Sequence, residues 1–253
     1  MELVEIVVVD GVATLTLNDP ARRNVVSADM NAALVDAVDR LEDAQDVRAL
    51  VITGAAPAFS AGGHLDDLLA VDDGPSLRSI YAGFLRVAGC ELPTVAAVNG
   101  AAVGAGMNLA LACDLIVAGE SARFDSRFLQ IAIHPGGGHT WRLRHNTDLQ
   151  TAKAMVLFGA VLSGQEAAQA GLAWRCYPDD ELLQEAQALA GVAAAAPPEL
   201  VRSIKATFAA GLAVDSSDAA VDLELEPQVI STRQPAFHSF VADLKARIAA
   251  KKG

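Results

Sequence analysis

Two short segments of small residues place backbone N–H groups where they could polarise a carbonyl oxygen. Residues 59–63 (FSAGG) end in two glycines, and residues 103–106 (VGAG) lead directly into an apolar segment. Small residues let a ligand approach the backbone closely, and the first N–H groups of a helix have no partner within that helix. If the strands before the two segments are neighbours, one N–H from each could converge on the same oxygen. Each such donor is typically worth about 10²–10³ in rate when the oxygen becomes negatively charged.

The glycines of the second segment do not match the common nucleotide-binding patterns. A dinucleotide fingerprint requires a third glycine three residues after the second, but position 109 holds leucine. A P-loop requires Gly followed by Lys and then Ser or Thr, which this sequence lacks. Two ordinary turns rich in small residues remain the simpler alternative to a pair of N–H donors.

Two histidines near these segments, His64 and His134, are candidate acid–base groups. His64 directly follows the first segment, and its imidazole could transfer protons near neutral pH or serve a structural role. His134 and His139 flank three glycines at a predicted helix start, and His134 could reach the same site. No third ligand is spaced to join these two histidines, so we expect no metal site.

Charged side chains near the segments have structural as well as functional explanations. Asp66 and Asp67 begin an acidic stretch that fits a solvated helix start. Arg127 could bind a carboxylate of an acidic acyl group through two parallel hydrogen bonds. It could also pair with Asp125 or Asp114, which is the stronger expectation.

The elements that must position these residues alternate between strand and helix patterns before residue 135 and are helical after it. Two β-rich runs, Val4–Val9 and Val12–Leu17, are separated by Asp10-Gly11, a strong hairpin signal. Ser27 can cap a helix over residues 28–44, whose apolar positions share one face. The remaining predictions are strands at residues 48–53, 94–98 and 115–118 and helices at 77–92, 148–159, 164–170, 180–196, 199–210, 218–232 and 236–250. Residues 65–75 show no clear period, and the alternation as a whole predicts an α/β fold.

Composition narrows the possible partners and the compartment. The 253 residues include 19 Lys and Arg against 31 Asp and Glu, which gives a net charge of −12. We expect no nucleic-acid partner, because phosphate binding needs a basic face. The N-terminus lacks the basic region of a signal peptide, no apolar run is long enough to span a membrane, and the three cysteines lie far apart. These features predict a cytoplasmic protein without a disulfide framework.

Six segments occur in an order and spacing that extend over nearly the whole chain. They are RRNVVS (22–27), FSAGGHLDDL (59–68), PTVAAVNGAAVGAGMNLALACDLIVA (93–118), ARF (122–124), HPGGGHTWRL (134–143) and AMVLFGAVLSGQEAAQAGLAWRC (154–176). In these segments the chain resembles the enoyl-CoA hydratase/isomerase, or crotonase, superfamily.

The resemblance implies an α/β, crotonase-like spiral of ββα turns in residues 1–195 and a C-terminal helical trimerisation region in residues 196–253. The ligand would be an acyl-CoA thioester, with coenzyme A as part of the substrate and no separate cofactor. The N–H groups of Gly63 and Ala105 would be the oxyanion donors, and the assembly a homotrimer or a dimer of trimers. The residues that would contact the CoA moiety are Arg23, Val25, Ala61 and Leu65.

Two positions depart from the pattern of family hydratases, which carry a catalytic glutamate at each. They are Asn108, three residues after Ala105, and Phe128, four residues after the Phe of the ARF motif. Neither side chain is a titrating acid or base, and each positioned acid or base contributes typically about 10²–10⁴-fold. We therefore expect weak or no hydration by the usual route, with His64 and His134 as candidate replacements for the missing acid–base groups. Two hypotheses stay open: an enzyme that stabilises a thioester enolate with a base other than glutamate, and a non-catalytic acyl-CoA carrier or sensor.

Overall fold

The computed structural model describes residues 2–250 of the chain. The chain divides into two compact units, Met1–Ala195 and Ala196–Gly253. Among the described residues, every strand belongs to the first unit, and the second unit is built from helices.

Ten strands lie within residues 2–250. In chain order they are β1 (Val4–Val9), β2 (Val12–Leu17), β3 (Ala49–Gly54), β4 (Ala58–Ser60), β5 (Thr94–Val98), β6 (Ala101–Val103), β7 (Leu115–Gly119), β8 (Arg123–Asp125), β9 (Leu162–Ser163) and β10 (Arg175–Tyr177).

The strands form two sheets. The larger has the order β1-β2-β3-β5-β7-β10, in which β1 and β2 are antiparallel and the other pairs are parallel. Asp10 and Gly11 join β1 to β2 with positive φ angles, as tight hairpin turns require. The smaller sheet has the order β4-β6-β8-β9, with β4, β6 and β8 parallel. The predicted hairpin and α/β arrangement are confirmed.

The same residues contain twelve α-helices. They are α1 (Ala28–Asp43), α2 (Leu65–Leu69), α3 (Gly74–Ser79), α4 (Ala82–Ala88), α5 (Ala105–Ala112), α6 (His139–Asn146), α7 (Leu149–Phe158), α8 (Gly164–Gln169), α9 (Leu182–Ala194), α10 (Pro198–Gly211), α11 (Ser217–Thr232) and α12 (Pro235–Ala250).

The β3 strand separates two apolar layers, because its side chains alternate between the faces of the sheet. Leu50 and Ile52 pack in one cluster with residues of α1, while Val51 packs in a second cluster with residues of α9. All six residues of β3 are buried. A strand covered on both faces is typical of a parallel sheet with helices on either side.

Helix α1 begins where the sequence predicts, because Ser27 caps it. The Ser27 Oγ accepts a hydrogen bond from the Met30 N–H at 3.3 Å. The apolar positions Met30, Leu34 and Val38 are fully buried on one face. An amphipathic helix with a polar N-cap needs no further signal to be recognised.

The single helix predicted over residues 77–92 is wrong, since the structure has α3 and α4 with a break between them. The Asn31 side chain of α1 fixes this break. Its Nδ2 donates to the Ile80 carbonyl at 3.0 Å, and its Oδ1 accepts from the Gly83 N–H at 2.9 Å. A contact between residues far apart in sequence therefore decides the local structure. Residues 65–75, without a clear period, include the short helix α2.

The second unit contains α10, α11 and α12, and each begins and ends within about two residues of the predicted bounds. Leu200, Ile204 and Phe208 lie four residues apart on α10 and are exposed. Within residues 2–250 we find no helix with the length and apolar character needed to cross a membrane.

Candidate functional site

A cavity of about 550 Å³ opens in the first unit at the ends of β4, β6 and β8. Residues 61–66, 103–105 and 126–128, which follow or end these three strands, line it. Chain segments that leave parallel strands at the same edge of a sheet converge there. Both small-residue segments of the sequence therefore reach one cavity.

Gly63 and Ala105 lie side by side in the wall of this cavity. A Cβ atom built on Gly63 would lie 3.7 Å from the Cβ of Ala105. Gly63 is held by a parallel bridge to Val26, and Ala105 is the first residue of α5. Throughout residues 2–250, neither of these two N–H groups has a hydrogen-bond partner. The cavity wall thus contains two adjacent backbone donors without an acceptor.

Two glycines bring these donors together. Gly62 has a φ of +104°, and a Cβ there would lie only 2.8 Å from the Val103 carbonyl oxygen. Gly104 has a φ of +48°, and its N–H donates to the Asp125 carbonyl at 2.9 Å. Glycine adopts such positive φ angles without the cost that a side chain imposes.

A chain of buried polar groups forms another part of the wall. The Asn108 Oδ1 lies 2.8 Å from Nδ1 of His139, and Nε2 of His139 lies 2.8 Å from the Ser126 Oγ. The Asn108 Nδ2 donates to the Gly136 carbonyl at 3.1 Å. Asn108 and Ser126 line the cavity, while the His139 ring lies behind them and is 1% exposed.

Burial and, as a smaller effect, the positive charge of Arg142 together lower the pKa of His139 to about 4. The imidazole is therefore neutral at pH 7. The Phe128 ring meets it edge to face, with 4.9 Å between the ring centroids. A neutral imidazole in an apolar setting can accept a proton but holds it weakly.

Comparison of the whole chain with known families decides the assignment. The sequence profile described as enoyl-CoA hydratase/isomerase matches residues 8–247. The chain belongs to the enoyl-CoA hydratase/isomerase family.

Individual relatives agree with this assignment over nearly the full chain. A probable enoyl-CoA hydratase from Mycobacterium tuberculosis is 45% identical over 244 residues, covering 93% of this chain and 94% of that protein. A 1,2-epoxyphenylacetyl-CoA isomerase from Escherichia coli is 33% identical over 262 residues, covering 98% and 97%. The crystal structure of an enoyl-CoA hydratase from Bacillus anthracis has a TM-score of 0.90 at 26% identity, covering 97% of this chain and 96% of that chain. The predicted crotonase-like fold is confirmed.

The two histidines predicted as acid–base groups of this family member line the cavity but are not part of the buried polar chain. His64 lies on α2's N-terminal side, with its Nδ1 3.4 Å from the Asp67 carboxylate and no hydrogen bond to it. His134 is exposed, and its Nδ1 lies 2.8 Å from the Pro135 carbonyl. Their roles stay predictions.

The residues predicted to contact the CoA moiety divide into two groups. Val25, Ala61 and Leu65 line the cavity. Arg23 is exposed outside the cavity lining, and its carbonyl accepts from the Ala61 N–H at 2.9 Å. Three of the four predicted residues therefore line the cavity, and the role of Arg23 stays a prediction.

Arg127 forms an ion pair with Asp125, as the sequence analysis favours over binding of a ligand carboxylate. Its Nε lies 2.9 Å from the Asp125 carboxylate, and this hydrogen bond raises the pKa of Arg127. Asp114 instead accepts from the N–H and hydroxyl of Thr94. Phe128 lines the cavity as an apolar group.

Nothing in the sequence indicates an acid–base role for His139 or any role for Ser126. No spacing rule could pair them, because they lie on separate segments and meet only in the fold. Among the residues that the structure describes, no cluster of three metal-binding side chains is present.

Proposed function

We propose that this protein binds an acyl-CoA thioester and stabilises its enolate at the N–H groups of Gly63 and Ala105. The observation that carries the proposal is the presence of two adjacent backbone donors without a partner in the cavity wall. Two such donors aimed at a thioester oxygen would hold the charge that develops when a proton leaves the neighbouring carbon.

The relatives support the substrate class, because their names specify CoA esters. They include the 1,2-epoxyphenylacetyl-CoA isomerase and a 2,3-dehydroadipyl-CoA hydratase, both from Escherichia coli. In this proposal coenzyme A enters as part of the substrate, and its CoA moiety contacts Val25, Ala61 and Leu65. We infer a cytoplasmic location, for which few and separate cysteines are typical.

Hydration by the usual family route should be weak or absent. The sequence resemblance implies that family hydratases carry their two glutamates at the positions held here by Asn108 and Phe128, and neither of these side chains titrates. Isomerisation or another reaction through an enolate fits the site better, since it needs the N–H pair and a single proton shuttle.

A non-catalytic acyl-CoA carrier or sensor is the second candidate function. One observation favours it: the Asn108 amide is hydrogen-bonded to His139 and Gly136 and offers no titrating group to the cavity. Such a protein would bind the thioester without changing it.

We also infer that the chain assembles as a homotrimer or a dimer of trimers. The exposed apolar residues Leu200, Ile204 and Phe208 of α10 support a subunit interface, since large apolar patches are rarely left in contact with water.

The experiment that tests the proposal measures the carbonyl bond of the ligand directly. Infrared difference spectra of butyryl-CoA with ¹³C at the thioester carbon should show a lower stretching frequency when it is bound, because two N–H donors weaken the C=O bond. Isothermal titration calorimetry gives the affinity in parallel.

Ala105→Pro is the variant for this test, because proline lacks the N–H and is tolerated at the first position of a helix. It should reduce the frequency shift. Leu149→Pro, at the first position of α7, is the matched control and should leave the shift unchanged. Binding without any frequency shift would contradict the N–H pair, and binding without turnover across a panel of acyl-CoAs would favour the carrier.

A further inference from the structure

We propose that Ser126, His139 and Asn108 form a proton relay that supplies the acid–base group for the enolate chemistry. Ser126 is the catalytic residue at the cavity surface, and His139 and Asn108 are positioning residues behind and beside it. The inference rests on the proposed function, because the relay needs a polarised thioester to act on.

The Gly136 carbonyl sets the direction of the relay. A carbonyl oxygen only accepts, so the Asn108 amide must turn its NH₂ group to Gly136 and its Oδ1 to His139. Oδ1 is also only an acceptor, so the proton of the neutral imidazole lies on Nδ1. The lone pair of Nε2 then faces the Ser126 hydroxyl at 2.8 Å and accepts its proton. These contacts fix a single tautomer of His139, and no carboxylate is needed to do so.

The relay lies next to the N–H pair. Asn108 is three residues after Ala105 on α5, about one helical turn away. The Ser126 carbonyl oxygen is 3.8 Å from where a Cβ on Gly104 would lie, and Gly104 immediately precedes Ala105. An acyl group with its oxygen at the N–H pair therefore has the relay beside it.

Burial favours proton transfer over nucleophilic attack by Ser126. The residue is 2% exposed, and its hydroxyl is already engaged with His139. A covalent acyl–serine would require a carbonyl carbon to reach bonding distance of this oxygen. Proton transfer from the α-carbon needs only a C–H contact with this oxygen, directly or through one water, and the hydroxyl proton can then pass along the hydrogen bond to His139.

The proposed step balances without a co-reactant. A proton leaves the α-carbon for the Ser126 Oγ, while the hydroxyl proton of Ser126 passes to Nε2 of His139. The C–H electron pair moves to the thioester oxygen as an enolate beside the N–H groups of Gly63 and Ala105. Return of a proton along the same path to the α-carbon, or to a conjugated carbon, regenerates neutral His139.

The surroundings of His139 make it a shuttle that returns its proton readily. Arg142 on α6 is the nearby positive charge that disfavours the imidazolium. The neighbouring charges of the β8 end, Asp125 and Arg127, are paired with each other. Tyr81 lies against Gly136, and burial raises the pKa of its hydroxyl, so it stays neutral.

Hydrogen–deuterium exchange at the α-carbon tests the relay separately from any full reaction. Butyryl-CoA is incubated with the full chain in D₂O, and deuterium uptake is followed by mass spectrometry. Ser126→Ala and His139→Gln should each slow exchange by at least about 100-fold while the calorimetric affinity changes little. Ser79→Ala and His145→Gln, on exposed positions of α3 and α6, are the matched controls and should exchange like the wild type.

Asn108→Asp provides a readout that a merely structural role would not change. A carboxylate beside Nδ1 stabilises the imidazolium, so the pH at which exchange is lost in acid should rise. An unchanged pH profile, with exchange still fast, would show that Asn108 and His139 do not act through the relay.

The outcomes separate the relay from the proposed function. Failure of butyryl-CoA and longer acyl-CoAs to bind overturns the proposed function and the relay with it. Normal binding overturns the relay alone in three cases: the wild type does not exchange, Ser126→Ala exchanges like the wild type, or an acyl adduct forms on Ser126. Normal binding with exchange lost in Ser126→Ala and His139→Gln supports it.

Discussion

Gly62 and Gly63 are adjacent residues with opposite tolerance for a side chain. Gly62 has a φ of +104° and would place a Cβ 2.8 Å from the Val103 carbonyl oxygen, whereas a Cβ on Gly63 meets only ordinary contacts at 3.7 and 3.8 Å. Gly62→Ala should lower the free energy of unfolding by about 2 kcal/mol or more. Gly63→Ala should change it by less than about 0.5 kcal/mol. Urea denaturation of the two variants makes the comparison, and equal losses would contradict the geometry.

His139 should make stability depend on pH. Its pKa is about 4 in the folded protein, because of burial and then Arg142, and about 6.5 in an unfolded chain. Between these values the unfolded chain binds a proton that the folded one does not. The free energy of unfolding should therefore fall as the pH drops from 6.5 to 4, by up to about 3 kcal/mol, and not change from this source above 6.5.

His139→Gln removes this contribution, so the difference in stability between wild type and variant should shrink as the pH falls. His145→Gln, an exposed neighbour on α6, should follow the wild-type curve. Chemical denaturation at a series of pH values measures all three proteins. A constant difference between wild type and His139→Gln would show that the imidazole is not held neutral.

A backbone position that requires glycine leaves a local signal in the sequence, whereas a network of side chains from separate segments does not. The glycines around Gly63 and Ala105 carry a local signal, because a positive φ or a close approach demands a small residue. The contacts of Ser126 with His139, and of His139 with Asn108, join three separate segments and leave no local signal. Arg127 is an intermediate case, since its partner Asp125 is close in sequence.

Among the helices, the α3–α4 break depends on a single amide. Asn31→Leu would leave the Gly83 N–H and the Ile80 carbonyl without their partner, at a cost of about 2–3 kcal/mol. Because Ile80 and Tyr81 line the cavity, acyl-CoA affinity should fall as well. Unfolding in urea and calorimetry measure the two effects.

The matched control is Asp36→Ala, which removes an exposed ion pair with Arg40 on the same helix. It should cost less than about 1 kcal/mol and leave affinity unchanged. If Asn31→Leu lowers the free energy of unfolding as little as this control, the Asn31 amide does not fix the break between α3 and α4.

Helices with one apolar face and a clear cap could be predicted almost to the residue, as α1 shows. Strands of two or three residues, such as β6 and β9, could not, because so short a segment carries no period. For α6 the sequence predicts a helix start near His139 but not the extent of the helix, since only His139 and Leu143 of its eight residues are buried. Tertiary contacts outweigh local pattern in these elements.

For the molecule as a whole, the proposed trimer predicts the molar mass of the assembly in solution. Chains of 26.2 kDa should elute as an assembly of three or six by size-exclusion chromatography with light scattering. Phe208 is 78% exposed, so Phe208→Glu should change the free energy of unfolding of a single chain little. The same change should disrupt a subunit interface that buries this side chain. Lys245→Glu on α12, also a change of charge at an exposed position, is the control. A wild-type protein that elutes as a monomer would contradict the assembly.

The order β1-β2-β3-β5-β7-β10 in the larger sheet is also the order in which the ribosome releases those strands. Each new strand can therefore add to the free edge of a sheet that is already present, without waiting for a later segment to insert between earlier ones. Protease protection of ribosome-stalled chains of increasing length should then appear strand by strand, rather than only at full length. Growth from one edge would keep the apolar strands of this sheet paired during synthesis, when incomplete chains are most prone to aggregation.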